Sequence, residues 1–237
     1  MRLSAPVYHL KRKARLLSRQ QSIPLHAALD RIAASEGFEG WSLLSARTKT
    51  DVPVSELYSR LNPGDLVLVG ARPGHGKTLM SLRLAVEAMK SGNRGAFFTL
   101  EDTEKAVLDR FRMIEADPVE FAELFEFDNS DVISADYIVK RLAAAPRGTL
   151  AVVDYLQLLD QKRENPDVMT QVQALKAFAR ERSVIIVFIS QIDRSYDPER
   201  KPVPDLEDVR LPNPLDLRLF DKMFFLHDGE VQFRAAS

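Results

Sequence analysis

The sequence predicts an α/β fold, in which a mostly parallel central sheet carries helices on both faces and a small helical segment precedes it. Three observations lead to this prediction. Strand-like and helix-like patterns alternate from residue 65 onwards, one buried strand runs into a glycine-rich loop, and acidic residues follow two further strands. Alternating elements favour parallel strands, and ligands of such sheets bind beyond the carboxyl ends of the strands.

The predicted elements are apolar runs and amphipathic patterns of ordinary length. Strands are expected at 65–70, 95–100, 149–154, 184–190 and 222–227, and helices at 78–91, 103–114, 134–145 and 168–182. The segment 193–214 contains five prolines and is the longest stretch without a strand or helix pattern. Long loops in compact domains are usually functional or mobile, so this segment is of interest for function.

The N-terminal region is predicted to be a separate helical appendage, residues 1–48, followed by the main domain, residues 49–237. Leu25, Ala28, Leu29 and Ile32 have the i, i+3, i+4, i+7 spacing of one helix face. The polar stretch 48–53 has the composition of a linker. The basic run from Lys11 to Arg19 is either a nucleic-acid contact or the solvated face of a helix, and the sequence leaves both interpretations open.

Composition limits the possible classes of protein. The 237 residues are 45% hydrophobic, which is enough to form the core of one α/β domain. The absence of cysteine excludes disulfides and thiolate zinc sites, and fits a cytoplasmic protein. No apolar run is nearly as long as the roughly 18 residues that a membrane-spanning helix requires. The net charge of −1 means that any nucleic-acid binding must come from local patches.

The stretch Leu66–Met80 predicts a phosphate-binding loop between a buried strand and a helix. Backbone N–H groups at the helix start, together with the helix dipole, suit a triphosphate. Lys77 would contact the β- and γ-phosphates of ATP, and the Thr78 hydroxyl would ligate Mg²⁺. The side chain of His75 is expected to face solvent, with its N–H directed at the phosphates. The predicted nucleotide-binding residues are Ala71, Arg72, Pro73, Gly74, His75, Gly76, Lys77 and Thr78.

This loop departs slightly from the usual pattern, which has glycine at the first position. Ala71 stands there, with Gly70 one residue earlier. The alternative interpretation is a tight strand-to-helix turn followed by an ordinary surface lysine.

Three polar residues that end strands are candidates for chemistry. Asp154 would hold Mg²⁺ directly or through water, and Glu101 would orient and deprotonate the water that attacks the γ-phosphate. Gln191 would sense the γ-phosphate. Each has a structural alternative: Asp154 could cap a turn, Gln191 could bond the sheet edge, and Glu101 could be a helix N-terminal acid. Asp102 and Glu104 compete with Glu101 for the role of base.

Four motifs together resemble one family. They are Gly70-Ala71-Arg72-Pro73 before Gly76-Lys77-Thr78, Phe98-Thr99-Leu100-Glu101, Val153-Asp154-Tyr155-Leu156-Gln157-Leu158 and Ser190-Gln191-Ile192-Asp193-Arg194. In order and spacing they resemble the RecA-like motor domain of DnaB-type replicative helicases, from about residue 52 to 228. The resemblance implies a RecA-like P-loop NTPase fold, with Lys77, Glu101 and Gln191 as catalytic residues, and Thr78 and Asp154 as metal residues.

The same resemblance implies partners. Members of the family form rings, usually hexamers, that encircle single-stranded DNA and bind ATP between subunits. Arg234 stands where the family supplies a basic residue to the neighbour's γ-phosphate, and it is the candidate arginine finger. Leu211-Pro212-Asn213-Pro214 replaces the family's small, flexible step after Asp208-Val209-Arg210. The candidate DNA-contacting residues are Lys162, Arg163, Arg194, Arg200 and Lys201.

Three functions are compatible with these residues. The first is an ATP-hydrolysing helicase or translocase that assembles as a ring on single-stranded DNA. The second is a RecA-like ATPase that acts as a nucleotide-dependent binding, loading or regulatory module without unwinding. The third is a P-loop kinase for a small molecule, which would leave the run after Asp154 unexplained.

Overall fold

The computed structural model describes residues 4–5, 7–41, 44, 53–156, 159, 165–198, 200–211, 213–227 and 230–236. Contacts within the chain separate a smaller unit, which ends by residue 51 and includes a short piece around residue 230, from a larger unit that begins at residue 52. The domain boundary between residues 48 and 49 stays a prediction, because it lies outside the described residues.

Two helices of the smaller unit lie wholly within the described residues, α1 (Val7–Gln21) and α2 (Leu25–Ser35). Leu10, Ala33 and Leu44 are fully buried and form its apolar centre. The basic residues of α1 from Arg12 to Arg19 are exposed, which agrees with either of the two interpretations. The predicted helical character is therefore present in the described part of this region.

The larger unit is built on a seven-stranded sheet with the order β3-β2-β4-β5-β1-β6-β7. The pairs β1 with β5, β1 with β6, β2 with β3, β2 with β4 and β4 with β5 are all parallel. The strands are β1 (Leu66–Ala71), β2 (Gly95–Thr99), β3 (Phe125–Asp128), β4 (Leu150–Asp154), β5 (Ile185–Gln191), β6 (Lys222–His227) and β7 (Glu230–Ala235). The mostly parallel sheet is confirmed, and the five predicted strands agree within one residue at each end.

Helices cover both faces of this sheet. They are α3 (Val54–Ser59), α4 (Lys77–Lys90), α5 (Glu104–Met113), α6 (Ala135–Leu142) and α7 (Val168–Arg182). Alternate residues of a strand point to opposite faces. Accordingly, Val152 packs in one apolar layer with residues of α4 and α5, whereas Val153 packs in the other with residues of α6 and α7. The predicted two-faced burial is confirmed.

Two strands and one α-helix of the larger unit, besides its short 3₁₀ helices, were not predicted. β3 is a four-residue strand that is mostly half-buried. β7, in contrast, alternates polar and apolar residues from Glu230 to Ala235, so the sequence does carry a strand pattern there. The six residues of α3 are too few to show a helical period. Sequence patterns are informative only where one face is buried over several residues.

The proline-rich segment after β5 has more structure than expected. Ile192 and Val209 form an antiparallel bridge, and the backbone N–H of Asp193 donates to the carbonyl of Asp208 at 2.7 Å. A 3₁₀ helix, Leu206–Asp208, lies between them, and the Asp205 side chain accepts from the N–H of Glu207 at its start. The segment therefore leaves the sheet at residue 193 and returns alongside the end of β5.

Among the helices that the structure describes, none has the length and apolar character of a membrane span.

Candidate nucleotide-binding site

The residues singled out by sequence converge at one edge of the sheet. β2, β4, β5 and β1 are adjacent and parallel, so their carboxyl ends lie side by side. Ala71 is paired in register with Gln191, and Thr99 with Asp154. The glycine-rich loop, Glu101, Asp154 and Gln191 therefore surround the same space beyond the strand ends, as expected for a ligand site in this architecture.

The loop between β1 and α4 has the backbone conformation of an anion-binding loop. Gly74 and Gly76 have φ angles of +81° and +83°, in the left-handed region that favours glycine. A Cβ atom at either position would meet no heavy atom within 4 Å, so conformation and not space demands glycine there. Gly76 is the N-cap of α4, whose first-turn N–H groups lack intrahelical acceptors. This arrangement can bind phosphate oxygens.

Thr78 and Asp154 form the centre of the candidate metal site. The Thr78 hydroxyl donates to Asp154 Oδ2 at 3.0 Å, and Asp154 is only 2% exposed. The other carboxylate oxygen, Oδ1, is buried and has no hydrogen-bond partner within the described structure. Burial raises the pKa of Asp154 to about 6, against the opposing effects of the Thr78 hydrogen bond and the Lys77 charge, while the charges of Glu101 and Asp102 raise it further.

These features fit a bound Mg²⁺. A buried carboxylate that lacks a partner for one oxygen is costly unless a cation or donor completes its environment. Mg²⁺ prefers oxygen ligands and is commonly held by one or two protein groups together with phosphate oxygens. Thr78 and Asp154 supply such a pair directly beside the phosphate-binding loop.

Glu101 differs in its surroundings from the two neighbouring acids, Asp102 and Glu104. Asp102 forms an ion pair with Arg110 at 2.6 Å, and Glu104 lies in the first turn of α5. Glu101 is exposed, and its backbone N–H donates to Thr99 Oγ1 at 3.1 Å, which holds the chain just beyond β2. The charges of Glu101 and Asp102 both raise the pKa of Asp154, so both acids lie near it, but only Asp102 is engaged by Arg110. These contacts favour Glu101 over Asp102 and Glu104 as the base, and its role stays a prediction.

Gln191 is held by Arg210, a contact that sequence reasoning missed. The Gln191 carbonyl accepts from the backbone N–H of Arg210 at 2.8 Å, and its side-chain Oε1 accepts from Arg210 Nη1 at 3.3 Å. The sequence placed Arg210 in a motif but gave no sign of this pairing, since the two residues are 19 positions apart. With its oxygen bonded to Arg210, the Gln191 amide has its NH₂ group left for an anion.

The expectation that the His75 side chain faces solvent is wrong. Its ring stacks on that of His227 at the end of β6, with centroids 4.7 Å apart, and its backbone N–H donates to the carbonyl of Arg72 at 3.2 Å. The loop is therefore packed against β6 as well as carried by β1.

The candidate DNA-contacting residues differ in their surroundings. Arg194 and Arg200 are exposed, and Arg200 lies 3.8 Å from Asp197. Lys201 is paired with Asp205 at 2.6 Å and with Asp208 at 2.8 Å, so much of its charge is neutralised. Lys162 and Arg163 lie outside the described residues, as do Gln157 and Leu158 of the motif after β4.

The candidate finger residue is also paired. The guanidinium of Arg234, on β7, lies 3.4 Å from Asp205 Oδ2. Asp205 is thus shared between Arg234 and Lys201.

Comparison with known proteins agrees with this geometry. The family model described as the DnaB-like helicase C-terminal domain matches residues 52–126 and 123–216. The chain belongs to this family. The matched residues include the phosphate-binding loop, Glu101, Asp154 and Gln191, so the resemblance noted in the sequence is confirmed.

Curated relatives of this DnaB-like domain are replicative DNA helicases named DnaB. The protein of Mycoplasma genitalium is 25% identical over 223 residues, which cover 79% of this chain and 47% of the relative. The protein of Leifsonia xyli is 27% identical over 219 residues, which cover 77% and 46%, respectively. The chain therefore spans about half the length of the curated relatives that it matches.

Two solved structures share the fold of the DnaB-like domain. The ATPase domain of G40P matches with a TM-score of 0.58 and 21% identity, covering 83% of this chain and 88% of that one. A DnaB-like replicative helicase, described with its interactions with primase, matches with a TM-score of 0.62 and 20% identity, covering 98% and 72%. At these identities the matches show the α/β fold of RecA-like ATPase domains.

Proposed function

We propose that this chain is a Mg²⁺-dependent ATP-hydrolysing helicase or translocase domain that acts on single-stranded DNA as a ring. The observation that carries the proposal is the Thr78–Asp154 pair beside the phosphate-binding loop, with Glu101 and Gln191 at the same strand edge. Membership of the DnaB-like family supports it. The third candidate function, a kinase for a small molecule, does not agree with membership of a helicase family.

Each residue of the candidate site would have a separate role in the hydrolysis of ATP. The N–H groups of the loop and the Lys77 ammonium would bind the β- and γ-phosphates, and Thr78 and Asp154 would hold Mg²⁺. Bound Mg²⁺ supplies positive charge to the phosphate oxygens. Glu101 would accept a proton from the attacking water as its oxygen bonds the γ-phosphorus and the bond to the β–γ bridging oxygen breaks, which releases ADP and phosphate. The Gln191 NH₂ group would contact the γ-phosphate.

Ring assembly and DNA binding are proposed by analogy with the relatives named replicative DNA helicase. Arg194 and Arg200 are exposed beyond the strand edge and would contact phosphates of single-stranded DNA. The ion pairs of Lys201 and Arg234 favour a second candidate, a nucleotide-dependent loading or regulatory module without unwinding, because they withdraw two cations from DNA and from a neighbouring subunit.

The test is the steady-state rate of ATP hydrolysis with Mg²⁺, with and without single-stranded DNA, at concentrations that permit assembly. We expect Lys77→Ala to abolish nucleotide binding or hydrolysis. Glu101→Gln should retain ATP but lose about a hundredfold or more in kcat, as removal of a general base does. Glu104→Gln is the matched control and should hydrolyse normally.

The outcomes separate the two candidate functions. Strong stimulation by DNA supports a ring motor, whereas a slow rate that DNA does not change supports the binding module. Normal hydrolysis by Glu101→Gln would contradict the assignment of the base.

A further inference from the structure

The side chain of Arg72 is directed towards the segment after β5. Its Nη2 donates to the carbonyl of Arg194 at 2.9 Å and also to the carbonyl of Tyr196. The guanidinium carbon lies 5.2 Å from the centroid of the Tyr196 ring, within the range of a cation–π contact. One side chain of the phosphate-binding loop thus makes three contacts with residues more than 120 positions along the chain.

Tyr196, which contacts this arginine, is itself held in place by burial and by further contacts. It is 3% exposed, and its hydroxyl donates to the carbonyl of Lys201 at 2.9 Å. Its ring also meets the edge of His227, with centroids 5.5 Å apart, and His227 stacks on His75 of the same loop. The loop therefore contacts the Tyr196–His227 pair at two points, Arg72 and His75.

The position of this contact suggests its role. Tyr196 lies five residues after Gln191, on the segment that returns at Val209 and delivers Arg210 to the Gln191 side chain. The same segment carries Arg194 and Arg200, the exposed cations proposed to contact DNA. Arg72 thereby links the loop that would bind nucleotide directly to the segment that would bind DNA.

We propose that Arg72 is a positioning residue that couples the phosphate-binding loop to residues 193–210 through Tyr196, and not a ligand of the phosphates. This inference rests on the proposed function, because it assumes that the loop binds a nucleotide. The contact of Arg72 with Tyr196 does not depend on that assumption. When nucleotide orders the loop, the Arg72 guanidinium holds the carbonyls of Arg194 and Tyr196 and orders the segment. Without Arg72, nucleotide still binds, and the segment no longer responds to it.

The test follows tryptic cleavage after Arg194 by mass spectrometry, in the whole chain, with and without an ATP analogue that has a non-hydrolysable β–γ bridge. Cleavage of a native protein tracks the population of the locally opened state. We expect Arg72→Ala to speed cleavage about tenfold, since two hydrogen bonds from a charged donor are lost. The analogue should slow cleavage of the wild type but not of Arg72→Ala.

Further variants guard against misfolding and isolate the ring contact. Arg72→Lys keeps a charge but not the planar fork, so it should fall between wild type and Arg72→Ala. Tyr196→Phe keeps the ring and should respond to the analogue like the wild type, whereas Tyr196→Leu should respond more weakly, because it loses the ring contact but keeps the carbonyl acceptors. Arg83→Ala, an exposed arginine of α4, is the matched control and should leave cleavage after Arg194 unchanged.

Binding of the analogue, measured by fluorescence, distinguishes the two roles of Arg72. A positioning role predicts that affinity changes by no more than about twofold, whereas loss of a charged phosphate contact would weaken binding about tenfold or more. The second result would overturn the proposal, as would wild-type cleavage rates in Arg72→Ala, or cleavage of nucleotide-bound wild type that matches the free protein. If the wild type binds no nucleotide, the proposed function fails, and cleavage of the free variants still decides whether Arg72 holds the segment.

Discussion

At the scale of single residues, Asp154 shows a conflict between stability and function. It is almost fully buried, yet only one of its two carboxylate oxygens accepts a hydrogen bond within the described structure. Such an arrangement makes the charged form costly in the absence of a cation. The same arrangement is suited to a cation, because the second oxygen is left for one.

This conflict predicts the behaviour of Asp154→Asn. Burial raises the pKa of Asp154 to about 6 from an ordinary value of 3.8, so the folded state holds the proton more tightly than the unfolded state. The free energy of unfolding therefore falls as pH rises from about 4 to about 6, by roughly 3 kcal/mol for a shift of that size, and stays lower above it. Nucleotide-free Asp154→Asn should lack this fall and have the higher Tm at pH 7.

Thermal unfolding of both proteins between pH 4 and 8 checks the prediction, because other groups titrate equally in each. Parallel profiles would contradict it. Adding Mg²⁺ and ATP should raise the Tm of the wild type by more than that of the variant, so that stability and ligand binding change in opposite directions. Asp109 is exposed, so Asp109→Asn is the control. It should show the same dependence on pH and the same rise in Tm with ligand as the wild type.

At the scale of elements, the packing of β1 explains why glycine stands at position 70, one residue before the first position of the loop. A Cβ at Gly70 would lie 2.9 Å from Cδ1 of Phe225 on β6 and 3.3 Å from Cδ1 of Ile192. Atoms at the first of these distances must move apart. Glycine therefore permits the close packing of β1 against the side chains of its neighbours, while Ala71 takes the first position of the loop.

Gly70→Ala should accordingly destabilise the protein by about 1–3 kcal/mol, the usual cost of overpacking a core. Urea unfolding measures the change. The double variant Gly70→Ala with Phe225→Leu removes the ring that the new methyl group would meet, so the two changes should be less destabilising together than their sum. Additive effects would show that Phe225 is not the obstacle.

The elements also show what the sequence could predict. The five predicted strands and four predicted helices follow from apolar runs and helical periods that are local, and the structure matches them closely. Asp154 and Gln191 could be placed because both end buried strands. The stacking of His75 on His227 and the contact of Arg72 with Tyr196 could not, since they join residues more than 120 positions apart and leave no local pattern.

At the scale of the whole molecule, assembly into a ring would divide the candidate site between two chains. The phosphate-binding loop, the metal pair and Glu101 belong to one chain, but Arg234 is paired with Asp205 of its own subunit. The contact is long, at 3.4 Å, and Asp205 also pairs with Lys201, so Arg234 could exchange it for a phosphate contact on assembly without leaving Asp205 unpaired. In a ring, Arg234 would then serve the nucleotide of the neighbouring subunit.

Mixing two inactive variants tests this arrangement. Glu101→Gln lacks the base but keeps Arg234, and Arg234→Ala keeps the base but lacks the finger. Each alone should lose about a hundredfold or more in kcat, because arginine fingers and general bases contribute effects of this order. An equimolar mixture should recover hydrolysis, since an interface that pairs Glu101 of one subunit with Arg234 of the other is intact.

The recovery should depend on protein concentration, because it requires assembly, and should follow the fraction of mixed interfaces as the ratio of the variants changes. Lys77→Ala mixed with Glu101→Gln is the control: neither variant contributes both an intact loop and an intact base, so no mixed site is restored. If the variants mixed at equal ratio remain as inactive as each alone while sedimentation shows rings, Arg234 does not act on a neighbouring site. If Arg234→Ala alone hydrolyses ATP normally, the finger lies elsewhere in the assembly.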